Sequence, residues 1–241
     1  MSGIQRPRAL PSGGSVNRPR AEEVAKAIEH SILKPTATGA DMEKGCREAA
    51  RHGFHAVCVN PVHTRTAKDA LAGSAVRVVT VIGFPLGATY TEVKVYEAMR
   101  AALSGADELD IVMNLGAATE GKWGLVEKDL SDIIAATPRL VHKVIVETSY
   151  LDMRQIERAV KASLSAGARF IKTSTGFSPV GATVEDVAFL KSIIKGRAGI
   201  KAAGGIRTLE QALGLMRAGA GRLGTSSGVR IMEEAGACPR P

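Results

Sequence analysis

Three charged side chains stand where apolar residues are expected. Asp110 lies in Glu108-Leu-Asp-Ile-Val-Met-Asn114, Lys172 in Arg169-Phe-Ile-Lys-Thr-Ser174 and Lys201 in Ile200-Lys-Ala-Ala-Gly204, and each of these runs reads as a buried strand. Lys143 and Glu147 alternate with apolar residues in Lys143-Val-Ile-Val-Glu147, and the two-residue period of a strand predicts that they share a face. An isolated buried charge costs several kcal/mol, so such groups must be paired, neutralised or functional. Two lysines near one site make chemical sense, because one ammonium disfavours a second proton nearby. A neutral lysine amine attacks an aldehyde or ketone to give an iminium, which stabilises a carbanion at the adjacent carbon. A carboxylate such as Asp110 would then move protons at the carbinolamine and hydroxyl stages.

The glycine-rich turns suit another part of a substrate. Gly204-Gly205-Ile-Arg207-Thr208 and Gly224-Thr-Ser226-Ser227-Gly228 each follow a strand candidate and open a helix, where backbone N–H groups make an anion site. Glycine lets the main chain approach a phosphate closely, and Thr175-Gly176 forms a third turn of this kind. Cys58, near the expected site mouth, reads as a small apolar filler within reach of reactive aldehydes.

These residues need a scaffold that brings distant strands together. Candidate strands over 28–34, 54–60, 76–83, 108–114, 143–148, 169–174, 200–203 and 222–225 alternate with segments of helical period. Val95, Met99, Ala102 and Leu103 form one predicted inward stripe; Leu209, Ala212, Leu213 and Met216 form another. Thr183 and Thr208 have N-cap spacing to Asp186 and Gln211, while Gly105, Gly167 and Gly219 fall at predicted helix exits. The junctions Leu103-Ser-Gly-Ala, Leu164-Ser-Ala-Gly-Ala and Met216-Arg-Ala-Gly-Ala repeat, as if one βα unit were reused. The pattern predicts a single-domain α/β chain, a closed (β/α)8 TIM barrel over 21–236, with chemistry at the C-terminal ends of its strands.

Composition narrows the function classes. The 241 residues are 45% apolar and 23% charged, enough for one large core. Half of the net charge of +8 comes from Arg6, Arg8, Arg18 and Arg20, in a Pro- and Gly-rich stretch over 1–20 that reads as a disordered basic leader. With only 4% aromatic residues there is little for base stacking, so no nucleic-acid partner is expected. No apolar run is long enough for a membrane helix, and no membrane partner is expected. Cys46, Cys58 and Cys238 make no disulfide framework, which fits a reducing, cytoplasmic location. His52, His55 and His63 fall on different elements, so neither a metal nor another cofactor is expected.

Seven ordered motifs resemble the deoxyribose-phosphate aldolase family over nearly all of residues 24–232. They are Ile28-Glu-His-Ser-Ile-Leu-Lys-Pro-Thr-Ala-Thr38, Val57-Cys-Val-Asn-Pro61, Val81-Ile-Gly-Phe-Pro-Leu-Gly-Ala-Thr89, the Glu108 run, Lys143-Val-Ile-Val-Glu-Thr148, Phe170-Ile-Lys-Thr-Ser-Thr-Gly176 and Lys201-Ala-Ala-Gly-Gly-Ile-Arg-Thr208. The resemblance implies a class I aldolase that reversibly cleaves 2-deoxy-D-ribose 5-phosphate to D-glyceraldehyde 3-phosphate and acetaldehyde, in deoxyribose phosphate catabolism. By it Lys172 is similar to the Schiff-base lysine, Lys201 to the lysine that depresses its pKa, and Asp110 to their acid/base partner. Gly176, Gly204, Gly205, Arg207, Gly224, Ser226 and Ser227 would hold the phosphate, and Cys58, Lys143 and Thr175 would border the substrate. A homo-oligomer, a dimer first, is also implied.

Two departures stand out. Glu29-His30-Ser31 replaces the family's usual Asp-His-Thr, and the last tyrosine is Tyr150, whereas some members end in a tyrosine that assists proton transfer. Activity is therefore expected to survive removal of the chain after Glu234, including the short tail over 237–241. Two other readings remain open on the residues alone: a lysine-based barrel aldolase with a different donor, and a non-catalytic phosphate- or nucleic-acid-binding barrel.

Overall fold

The computed structural model describes residues 20–237. Apart from Arg20, which precedes the first helix, and Ala237, the expectations for a leader over 1–20 and a tail over 237–241 lie outside the described residues. The strands are β1 (Ile28–Ile32), β2 (Ala56–Val59), β3 (Arg77–Ile82), β4 (Glu108–Val112), β5 (Val141–Ile145), β6 (Phe170–Lys172), β7 (Gly199–Ala203) and β8 (Arg222–Thr225). They pair in parallel in sequence order, and β8 returns to β1, so the sheet closes. The helices are α1 (Ala21–Ala27), α2 (Gly39–His52), α3 (Thr64–Ala70), α4 (Thr91–Leu103), α5 (Leu115–Thr119), α6 (Trp123–Ala136), α7 (Met153–Ser165), α8 (Val184–Ile194), α9 (Leu209–Ala218) and α10 (Gly228–Glu234). The eight predicted strands and the (β/α)8 barrel are all present.

The repeated Gly-Ala junction has a physical reason. At each exit the glycine takes positive φ, and the alanine N–H reaches back five residues: Ala106 to Ala101, Ala168 to Ser163, and Ala220 to Leu215. This closes the helix and aims the chain into the next strand. At the opposite ends, Thr183 accepts from the Asp186 N–H and Thr208 from the Gln211 N–H, as the spacing predicted.

The inward face of α4 is not the predicted one. Lys94, Ala98 and Ala101 are buried, whereas Met99 and Leu103 are exposed and Val95 and Ala102 are only half-buried. Small alanines let the helix lie close to the sheet, and the Lys94 charge is met by Asp129 Oδ2 at 2.8 Å and the Val112 carbonyl at 3.1 Å. Ranking by hydrophobicity alone cannot anticipate a buried lysine that carries its own partner.

Most of the apolar core lies between the helices and the outside of the barrel. A separate small cluster of Ala56, Cys58, Val79 and Val81, with Leu33 and Phe84 against it, adjoins charged neighbours. Its Cys58 lies within 3.9 Å of Asp110.

Candidate active site

Strand register brings the lysines together. Lys172 on β6 is the Cα partner of Lys201 on β7, and Asp110 on β4 is the partner of Lys143 on β5, so each pair presents its side chains on a common face. Lys172 Nζ donates to Asp110 Oδ2 at 2.8 Å and Lys201 Nζ to the same oxygen at 2.6 Å. Lys143 Nζ donates to the other oxygen, Oδ1, at 3.1 Å. Lys201 also pairs with Glu29, the residue that departs from the family pattern. Room for the Lys201 stem comes from Gly224, where a Cβ would stand 3.1 Å from Lys201 Cε.

Burial and pairing pull the charges in opposite directions. Burial would raise the Asp110 carboxyl, but the surrounding lysines outweigh it and hold the group well below the usual carboxylate range. Burial works against the Lys201 ammonium, yet Asp110 and Glu29 prevail and hold Lys201 above the ordinary lysine value. Lys201 is thus a persistent positive charge beside Lys172. Burial pushes the Cys58 thiol up to about 11, despite Lys201 nearby, so it stays protonated at neutral pH.

Above this cluster opens a cavity of about 600 Å3 at the C-terminal ends of the strands. Lys172 and Thr175 line it, together with the predicted Gly176, Gly204, Gly205, Arg207, Gly224 and Ser226. Cys58 and Lys143 are absent from its wall; both are fully buried beneath it, next to Asp110. Ser227 is also absent from the wall, and its N–H is taken by the Thr225 hydroxyl at 2.9 Å inside the turn.

The expected common face of Lys143 and Glu147 does not form. β5 stops at Ile145, Glu147 adopts φ 50°, and its carboxylate accepts from the Thr175 N–H at 3.1 Å and the Ser178 hydroxyl at 2.8 Å. Glu147 therefore pins the loop after β6. That loop also meets the loop after β7 backbone to backbone: the Ala182 N–H donates to the carbonyls of Ala203 and Gly204, and a Cβ on Gly181 would fall 2.2 Å from the Gly204 oxygen.

Several residues escaped the sequence reading. Lys34 and Lys44 line the cavity from the β1 loop and from α2, beside Asp41 and Glu48, and Lys44 lies 3.8 Å from Glu48. Phe84 places its ring 5.8 Å from Lys172 Nζ and packs edge-on against Phe177. Glu108 was visible only as the residue two before Asp110, a spacing that puts both on one face of β4. Glu29, His55 and Glu108 bring ligand-type atoms within 4.8 Å of one another, but Lys143 and Arg77 already supply cations to Glu108.

A closed parallel barrel with a lysine amine at the floor of its mouth and glycine turns around the rim defines an aldolase-type centre. The chain belongs to the DeoC/LacD aldolase family, whose family description, "DeoC/LacD family aldolase", matches residues 23–234, and it is a lyase. It is 50% identical over 221 residues to the deoxyribose-phosphate aldolase of Thermococcus gammatolerans, covering 88% of this chain and 96% of that one. With the deoxyribose-phosphate aldolase of Deinococcus radiodurans it shares 49% identity over 209 residues, 87% of this chain and 95% of the relative. Among solved structures, the aldolase QR15 superposes with a TM-score of 0.85 at 49% identity, over 88% of this chain and 95% of the other. The tetrameric deoxyribose phosphate aldolase of Aeropyrum pernix gives 0.86 at 35% identity, over 92% and 95%.

Proposed function

We propose that this lyase cleaves 2-deoxy-D-ribose 5-phosphate through a Schiff base on Lys172. The observation that carries the reading is the sharing of one oxygen, Asp110 Oδ2, by Lys172 at 2.8 Å and Lys201 at 2.6 Å. With Lys201 kept as an ammonium by its two carboxylates, Lys172 is the nitrogen left to react.

The free amine of Lys172 adds to C1 of the open-chain sugar, and loss of water from the carbinolamine leaves the iminium. A base removes the C3 hydroxyl proton, the C2–C3 bond breaks, and its electron pair flows into the iminium to form an enamine and glyceraldehyde 3-phosphate. Protonation at C2 and hydrolysis then return acetaldehyde and the amine. Asp110, in contact with both Lys172 and Lys201, is placed to relay protons between them or to water in these steps. The phosphate fits the N–H groups of the Gly176, Gly204–Gly205 and Gly224–Ser226 turns, with Arg207 and Lys34 adding positive charge at the rim.

Leu33 on the cavity wall and the Phe84 ring near Lys172 give an apolar side that suits a small donor such as acetaldehyde. A homo-oligomer, a dimer first, is supported by Val93, Tyr96, Met99 and Leu103, which stay exposed on the face of α4 opposite its buried residues. A cytoplasmic setting is supported by the free thiols Cys46 and Cys58.

Incubation with acetaldehyde and borohydride, followed by peptide mass analysis, tests the reading. A reduced two-carbon adduct on Lys172, absent from Lys172→Met, is expected. Trapping at another lysine, or of a different aldehyde in preference, would transfer the role to another site or reaction.

A further inference from the structure

The eight strands bring an unbroken charged network into the barrel. From the mouth downward, Lys172 and Lys201 meet Asp110, Asp110 meets Lys143, and Lys143 lies 3.4 Å from Glu29 and 2.6 Å from Glu108. At the N-terminal end of the barrel, Glu108 Oε1 accepts from Arg77 at 3.0 Å and lies 3.1 Å from His55 Nε2. Arg222 Nε stands 3.9 Å from Glu29 Oε1, and Cys58 borders Asp110. Glu108 is buried, whereas the Arg77 side chain is 51% exposed, so the network reaches solvent at the end remote from the substrate.

The charges balance unevenly. Arg77 offsets Glu108, while Lys143 and Lys201 offset Asp110 and Glu29, with Arg222 as an added positive charge. Lys172 meets only Asp110, which Lys143 and Lys201 already share, so a proton there would add positive charge to a set that is balanced without it.

We propose that Glu108 and Arg77 are positioning residues for the aldolase reaction: acting through Lys143 and Asp110, they fix the charge of the network so that Lys172 is the surplus nitrogen and stays the free amine. Nothing in the cleavage mechanism above touches either residue, and neither reaches the cavity. The inference rests on Lys172 being the nucleophile. It makes the reactivity at the mouth depend on an ion pair at the opposite end of the barrel.

The test is the acid limb of kcat/KM against pH, which reports the free enzyme's essential base. Glu108→Gln removes a negative charge, so the limb is expected to move to lower pH by about half a unit, the size expected of a charge acting across a partly screened interior. Arg77→Gln removes a positive charge, and the limb is expected to move the other way by less, because Arg77 stands half in water; Arg77→Lys keeps the original limb. Arg77 is exposed, so its variants keep the test available if Glu108→Gln does not fold. A purely structural role would lower kcat without moving the limb in opposite directions. Limbs that stay together in both variants, or move the same way, overturn the proposal. Borohydride trapping on the same samples separates the two readings: a Lys172 adduct with unmoved limbs sinks only this inference, whereas no Lys172 adduct in the unaltered protein sinks both.

Discussion

Asp110 holds three lysine nitrogens on two oxygens, so removing its charge disturbs each of them differently. In Asp110→Asn, Lys201 loses one of its two carboxylates, and the proton acceptor nearest Lys172 is gone. Turnover is expected to fall by about a hundredfold or more, with a smaller change in KM, since the phosphate turns are untouched; steady-state kinetics on the sugar phosphate would show it. Gly224→Ala is expected to act on the same chemistry by crowding Ala203 Cβ at 2.9 Å and the Lys201 stem at 3.1 Å, with a smaller loss of turnover and a longer Lys201 to Asp110 contact in a crystal structure. Asp110, Lys172 and Lys201 were legible because a charge inside an apolar strand demands an explanation. Phe84 and Lys34 were not, because whether a loop side chain overhangs a barrel mouth depends on how the loop folds, which neither period nor composition encodes.

At the scale of the element, the sequence yielded the strands and the helix exits more readily than the faces of the helices. The Gly-Ala exits follow local chemistry that one segment contains by itself. The face of α4 depends on Asp129 of α6, 35 residues away, and no local signal announces it. Thr91 also bonds Asp129, at 2.8 Å, so the pair ties α4 to α6 and, through the Val112 carbonyl, to the end of β4. Asp129→Ala would leave Lys94 fully buried without its carboxylate, and chemical denaturation is expected to show a loss of about 3 to 5 kcal/mol; replacing both residues with apolar ones should cost much less. On β5, His142 is buried against Thr137, and burial lowers its pKa to about 4. The unfolded chain therefore binds this proton more readily than the folded one, so stability is full above about pH 6.5 and is lost as pH falls toward 4. The loss from this group is at most about 3 kcal/mol, and His142→Gln should flatten that part of a denaturation series against pH.

The whole molecule divides its labour between an apolar shell outside the sheet and an ionic column inside it. Among the described residues no helix is long and apolar enough to cross a membrane, and the exposed apolar face of α4 is the subunit contact proposed above. Tyr96→Glu is expected to lower the mass seen by light scattering without reducing borohydride trapping, and an unchanged mass would place the contact elsewhere. The interlocked loops after β6 and β7 bear on how such an enzyme can be diversified. With Gly181 lying against the Gly204 carbonyl and Ala182 bonded to the neighbouring strand end, neither loop has an independent conformation to lend. A chimera that imports one of them from a distant barrel would jam against the other, so new acceptor preferences must be grafted as a matched pair.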